Sequence, residues 1–176
     1  MLRSRTTPAI LLTFLSISTG SAQQAVQTLP GGASSLQEAY QDWRVTCAVQ
    51  GKTRACTISQ SQNQQNGQRL LGMELRPRSN GGVAGALVLP FGLLLNAGAV
   101  LQIDDKAAHE PLGFRTCVPT GCLVPVSFDQ AAVSALRTGT ALKILLTAED
   151  GRKPTFPVSL KGFAASLDRL NALSSS

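Results

Sequence analysis

Histidine occurs once in this 176-residue chain, at position 109, and charged side chains make up only 15% of it. An enzyme must show a nucleophile, an acid, a base or a metal site, so this scarcity already narrows the chemistry. No G-x-S-x-G elbow is present, and a Ser-His-Asp set is written only by borrowing a distant serine. The 16 glycines include no phosphate-binding run between a strand and a helix. No cysteine pair has the C-x-x-C spacing of a redox-active dithiol, and neither pair has the short C-x2-C spacing of a zinc site, for which only His109 remains as a further ligand. Neither a catalytic activity nor a cofactor is expected.

What is present at the N-terminus is a basic segment, Met1-Leu2-Arg3-Ser4-Arg5, then an apolar run over residues 8–17. That run is shorter than the ~20 residues needed to cross a bilayer, and small residues follow at Gly20-Ser21-Ala22. This is the layout of a secretory signal over residues 1–22, with cleavage after Ala22 and Gln23 as the new N-terminus. Processing removes Arg3 and Arg5 and lowers the net charge from +6 to about +4. The clusters Lys52-Thr53-Arg54, Arg76-Pro77-Arg78 and Arg152-Lys153 are short and lack interleaved aromatics, so nucleic acid is not expected as a partner. Residues 23–36, rich in Gln, Gly, Ser and Ala, read as a mobile leader. Residues 37–176 then form one domain of ordinary size.

Export places Cys47, Cys56, Cys117 and Cys122 in an oxidising compartment, where they are expected to pair. Four cysteines allow three connectivities. The local one, Cys47 with Cys56 and Cys117 with Cys122, is favoured because each pair closes a short loop that neighbouring strands bring together.

Trp43, Val45, Cys47 and Val49 alternate with polar or small residues, the period of a half-buried strand with Trp43 in the core. A second strand over residues 54–59 faces Cys56 towards Cys47. Residues 60–68 are Gln/Asn-rich, end in Asn66-Gly67 and read as a solvated connector, after which residues 70–75 resume a strand. Residues 79–103 carry no charge, but Gly81, Gly82, Gly85, Pro90, Gly92 and Gly98 interrupt them. Two buried strands, 83–89 and 99–103, joined by a Pro90-Phe91-Gly92 corner, fit better than a membrane helix. Residues 114–117 and 122–128 flank Val118-Pro119-Thr120-Gly121, which reads as a hairpin tip stapled by its own disulfide. Asp129 caps a short helix ending near Arg137 with Gly139 as its stop. Strands at 142–148 and 155–160 join through Asp150-Gly151, and Phe163, Leu167, Leu170 and Leu173 mark a closing amphipathic helix. Many short strands with regular turn signals make the fold mainly β, a β-sandwich with two helices.

The segment Asp104-Asp105-Lys106-Ala107-Ala108-His109-Glu110 reads as an exposed polar loop. The competing function is a small envelope enzyme or metal-binding protein using His109 with Asp104 or Asp105, although these acids and Glu110 lack the ligand spacing of a calcium loop.

Taken together, several segments resemble the invasion-associated locus B family of exported bacterial proteins. The resemblance covers roughly residues 36–173. It is carried by Tyr40-Gln41-Asp42-Trp43-Arg44-Val45-Thr46-Cys47, by Cys56, and by Leu89-Pro90-Phe91-Gly92-Leu93 followed by Gly98, Ile103 and Asp104. It continues in Cys117-Val118-Pro119-Thr120-Gly121-Cys122 and in Lys161-Gly162-Phe163 with Leu167 and Leu170. The resemblance implies an immunoglobulin-like β-sandwich, a periplasmic or envelope-associated site of action linked in some pathogens to host-cell entry, and no catalytic residues. The expected partner is an unidentified envelope or host protein, with peripheral membrane association as a further expectation.

Overall fold

A computed structural model describes residues 28–174. The proposed signal and residues 23–27 of the leader lie outside the described residues. Among the described residues ten strands form two antiparallel sheets. The larger contains β1 (Ser35–Tyr40), β2 (Trp43–Gln50), β3 (Thr53–Asn63), β4 (Arg69–Pro77), β5 (Val83–Leu89), β7 (Thr116–Val118) and β8 (Gly121–Phe128), in the order β1-β2-β3-β4-β5-β8-β7. The smaller contains β6 (Val100–Ile103), β9 (Ala141–Leu145) and β10 (Thr155–Ser159), in the order β10-β9-β6. Two helices complete the fold, α1 (Gln130–Thr138) and α2 (Phe163–Ser174). Among the described residues no helix is long and apolar enough to cross a membrane.

Alternation decides which face is inside. Val45 opposes Ile58, Ile58 opposes Leu75, Met73 opposes Leu87 and Leu87 opposes Val124, so one face of the larger sheet is a continuous apolar surface. Leu142 and Ile144 of β9, Leu101 and Ile103 of β6, and Phe163, Leu167, Leu170 and Leu173 of α2 join the same buried cluster. Trp43 is 1% exposed; its ring meets Phe163 edge-on at 5.1 Å and its indole N–H donates to the Ser159 carbonyl at 2.8 Å. The α2 helix turns in at Gly162, which sits at φ +84 where a Cβ would fall on the Tyr40 carbonyl. Asp129 caps α1 by accepting from the Ala132 amide at 2.8 Å, and Gly139 ends it.

Two expectations differ from the structure. The leader expected over residues 23–36 is built into the fold at its C-terminal end: Leu29 is buried, and Ser35 and Leu36 pair with Ala48 and Cys47. An edge strand buries only one face and one side, which lets a composition poor in large apolar residues form it. The connector expected over residues 60–68 begins only after Asn63, because β3 continues through Gln60 and Gln62. Gln60 is 6% exposed, and its amide spans the two sheets: Nε2 donates to the Ser159 carbonyl at 2.9 Å, while Oε1 accepts from the Ser159 amide at 3.2 Å. Gln62 donates to the Pro157 carbonyl at 2.6 Å. Side-chain amides thus serve the free edge of β10 where a neighbouring strand is missing.

Candidate functional site

The sequence-selected residues fall into three settings. Cys47–Cys56 and Cys117–Cys122 are disulfide-bonded, each between directly opposed residues of adjacent strands. Asp104 is a structural cap. It follows β6 at φ +50, and its carboxylate accepts from the amides of Ala141 and Thr140 at 2.9 and 3.0 Å, which, Ala141 first, hold the carboxyl below its ordinary pKa. Asp105 pairs with Lys143 at 2.7 Å, and His109 is exposed, its amide bonded to the Leu101 carbonyl. No hydrogen bond joins the imidazole to either aspartate, and among the described residues no group of three or more His, Cys, Asp or Glu side chains is placed to hold a metal ion.

A different region gathers the surface features. Because Leu89 opposes Cys122 and Gly72 opposes Val88, the 64–68 loop, the Pro90-Phe91-Gly92 corner and the tip at Pro119 and Thr120 lie at one end of the larger sheet. The bridge between Leu93 and Ala148, with Leu94 N–H to the Thr147 carbonyl and Glu149 N–H to the Gly92 carbonyl, brings the 149–153 turn of the smaller sheet to the same end. Three large hydrophobic side chains are exposed among the described residues: Phe91 at 59%, Leu95 at 45% and Val118 at 36%. Phe91 and Val118 stand at this end, on the corner after β5 and at the β7–β8 tip, and Leu95 follows on the segment between β5 and β6.

Two hollows flank Phe91. The larger, about 910 Å³, runs between the Phe91 corner and the Asp150-Gly151 turn, with Leu70, Leu93, Pro154 and Phe156 as its apolar wall. Its charges balance, two acids (Glu149, Asp150) against two bases (Arg152, Lys153); the Asp150 carboxyl is held below its ordinary pKa first by the Arg152 backbone amide and then by the Arg152 side chain at 2.7 Å. The smaller, about 600 Å³, lies between the 63–69 loop and the hairpin tip and contains a single charged residue, Arg69. A register shift between Gln62 and Asn63 sets that side chain. Gln62 opposes Leu71, yet Asn63 opposes Arg69, so Leu70 is the extra residue; Arg69 is turned over Gly72 beside Val88, and Leu70 faces the larger hollow. The tip itself is fixed by Cys117–Cys122 and by Gly121 at φ +136, where a Cβ would meet the Leu89 carbonyl.

In the sequence Phe91 is marked only as a corner residue, and nothing marks Arg69, whose aim depends on a bulge. The signal available was the position of Phe91 inside Leu89-Pro90-Phe91-Gly92-Leu93, an aromatic between two turn formers.

Fold and surface together define a disulfide-stapled, mainly β protein with an open loop surface at one end. The sequence profile described as Invasion associated locus B (IalB) protein matches residues 43–171. The chain is 51% identical over 166 residues to Invasion protein B homolog of Brucella abortus (strain 2308), covering 93% of this chain and 94% of that protein. It is 36% identical over 176 residues to Invasion protein B of Bartonella bacilliformis, covering 93% and 95%. The crystal structure of invasion associated protein B from Bartonella henselae superposes with a TM-score of 0.73 at 35% identity, covering 78% of this chain and 96% of that one. The chain belongs to the invasion-associated locus B family.

Proposed function

We propose that the protein is exported, processed after Ala22, and acts in the cell envelope as a non-catalytic binding protein through the loop end around Phe91. The observation that carries this reading is Phe91, the most exposed large hydrophobic of the described chain, standing between two hollows at one end with Val118 on the neighbouring hairpin tip. Two disulfides between strands support an oxidising compartment. Contact is non-covalent and needs no cofactor. The names of the relatives tie them to invasion, and the partner is an envelope or host protein through which a contribution to host-cell entry is made.

The test places a photo-crosslinking amino acid at Gln64 or Lys153 in the native envelope, with Thr46 on the outer sheet face as control. Discrete adducts from the loop-end positions, lost in Phe91→Ser, are expected. Equal adducts from Thr46, or adducts indifferent to Phe91→Ser, overturn the reading. N-terminal sequencing from the envelope fraction is expected to begin at Gln23, and an intact Met1 terminus in the cytoplasm refutes export.

A further inference from the structure

The smaller hollow has an unusual balance of groups. Among the described residues the Arg69 guanidinium makes no ion pair or side-chain hydrogen bond, and no acidic side chain lines the hollow with it. Arg152, the other arginine that lines the two hollows, is held by Asp150. Among the described residues the side-chain amides of Asn63, Gln64 and Gln68 beside Arg69 make no hydrogen bond; the loop is held by its backbone, with the Gln64 amide bonding the Gln68 carbonyl and the Gln68 amide bonding Asn66 Oδ1. Phe91 closes one side and Pro119 the other.

We propose that this hollow receives a carboxylate of an extended peptide segment of a partner protein, with a neighbouring apolar side chain laid against Phe91; the proposal rests on the loop-end reading above. A guanidinium presents a planar fork that matches a carboxylate, and free amides offer both donors and acceptors to a peptide backbone. A membrane surface fits less well. Glu149 and Asp150 offset Arg152 and Lys153 around the adjacent larger hollow, so the end offers an anionic bilayer little net positive charge beyond Arg69. The chain's own N-terminus is the wrong occupant as well. Arg54 bonds the Thr28 carbonyl beside the start of β3, at the opposite end of the sheet. The five residues left ahead of Thr28 by cleavage after Ala22 reach at most ~18 Å, against roughly 33 Å along β3.

The probe is an array of acetylated, amidated hexapeptides in which each Glu- or Asp-containing sequence is matched by its Gln or Asn counterpart, together with phosphatidylglycerol-containing vesicles. The processed full-length protein is expected to favour acidic members by about tenfold or more. Arg69→Gln is expected to remove that preference, Phe91→Ser to remove binding altogether, and Lys52→Gln, at the other end, to change nothing, with the melting temperatures of all three variants close to the parent's. An acidic preference that survives Arg69→Gln overturns the carboxylate site, as does binding that needs Phe91 but shows no preference; both leave the loop-end reading standing. Peptide binding indifferent to Phe91→Ser overturns both. Binding to vesicles in place of peptides, self-association through Phe91, or no binding to any probe overturns the proposal.

Discussion

Gln60→Glu exchanges an NH₂ for an oxygen and leaves the side chain's shape almost unchanged, so it isolates the hydrogen bonds that tie the two sheets together. In the native protein Nε2 donates to the Ser159 carbonyl and Oε1 accepts from the Ser159 amide, in a residue that is 6% exposed. A carboxylate there places a buried negative charge against a carbonyl oxygen. Protonated, it restores the donor. Burial and the facing Ser159 carbonyl therefore raise its folded pKa above the unfolded value. Stability is intact below the unfolded pKa and is lost as pH rises through the folded one, a loss of about 3 kcal/mol at neutral pH for a buried charge left against an acceptor. For a domain of this length that corresponds to a melting temperature lower by roughly 6–12 °C. Thermal melts of wild type and variant, each at about pH 4 and pH 7, measure the difference directly. An equal loss at both pH values, or none at either, refutes the assignment of Gln60 as the donor across the sheets.

Three further outcomes are expected. Cys47→Ala with Cys56→Ala costs about 2.5 kcal/mol and Cys117→Ala with Cys122→Ala about 2 kcal/mol in denaturant unfolding, from the chain-entropy cost of loops closed nine and five residues apart; reduction that leaves the unfolding curve unchanged removes their structural role. Gly162→Ala costs at least about 2 kcal/mol, because the new methyl group meets the Tyr40 carbonyl in a left-handed turn. Glu38, held below the ordinary glutamate range first by the hydrogen bond from Arg169 and then by that from Tyr40, contributes stability that is present above its unfolded pKa and lost as pH falls through the folded one. Glu38→Gln therefore flattens the acid side of a melting-temperature profile, and an unaltered profile contradicts the ion pair.

Local periodicity and capping chemistry were readable along the chain. The alternation from Trp43 marked β2 with its buried face, Asp129 and Gly139 bounded α1, and the spacing of Phe163, Leu167, Leu170 and Leu173 marked the buried stripe of α2. Other features depended on partners distant in sequence. Val83–Leu89 and Val100–Ile103 look alike in composition yet enter different sheets, because that choice is made by β8 and β9. Gln60 and Gln62 look like loop residues until Ser159 and Pro157 arrive to be hydrogen-bonded. Asp104 looked available for chemistry until the chain turning at Thr140 filled its oxygens. At the candidate site, the turn formers around Phe91 were legible. The direction of Arg69 was not, since a one-residue slip between β3 and β4 leaves no mark in composition.

Both disulfides connect cysteines that are consecutive in the chain, Cys47 to Cys56 and Cys117 to Cys122. A chain threaded through a translocon amino end first presents its thiols in that same order. An oxidant that simply couples each newly arrived cysteine to the one before it makes the native set, with Cys47–Cys56 closed before Cys117 emerges. Such a connectivity matures without a shuffling isomerase, and the order of delivery alone selects one pairing from three.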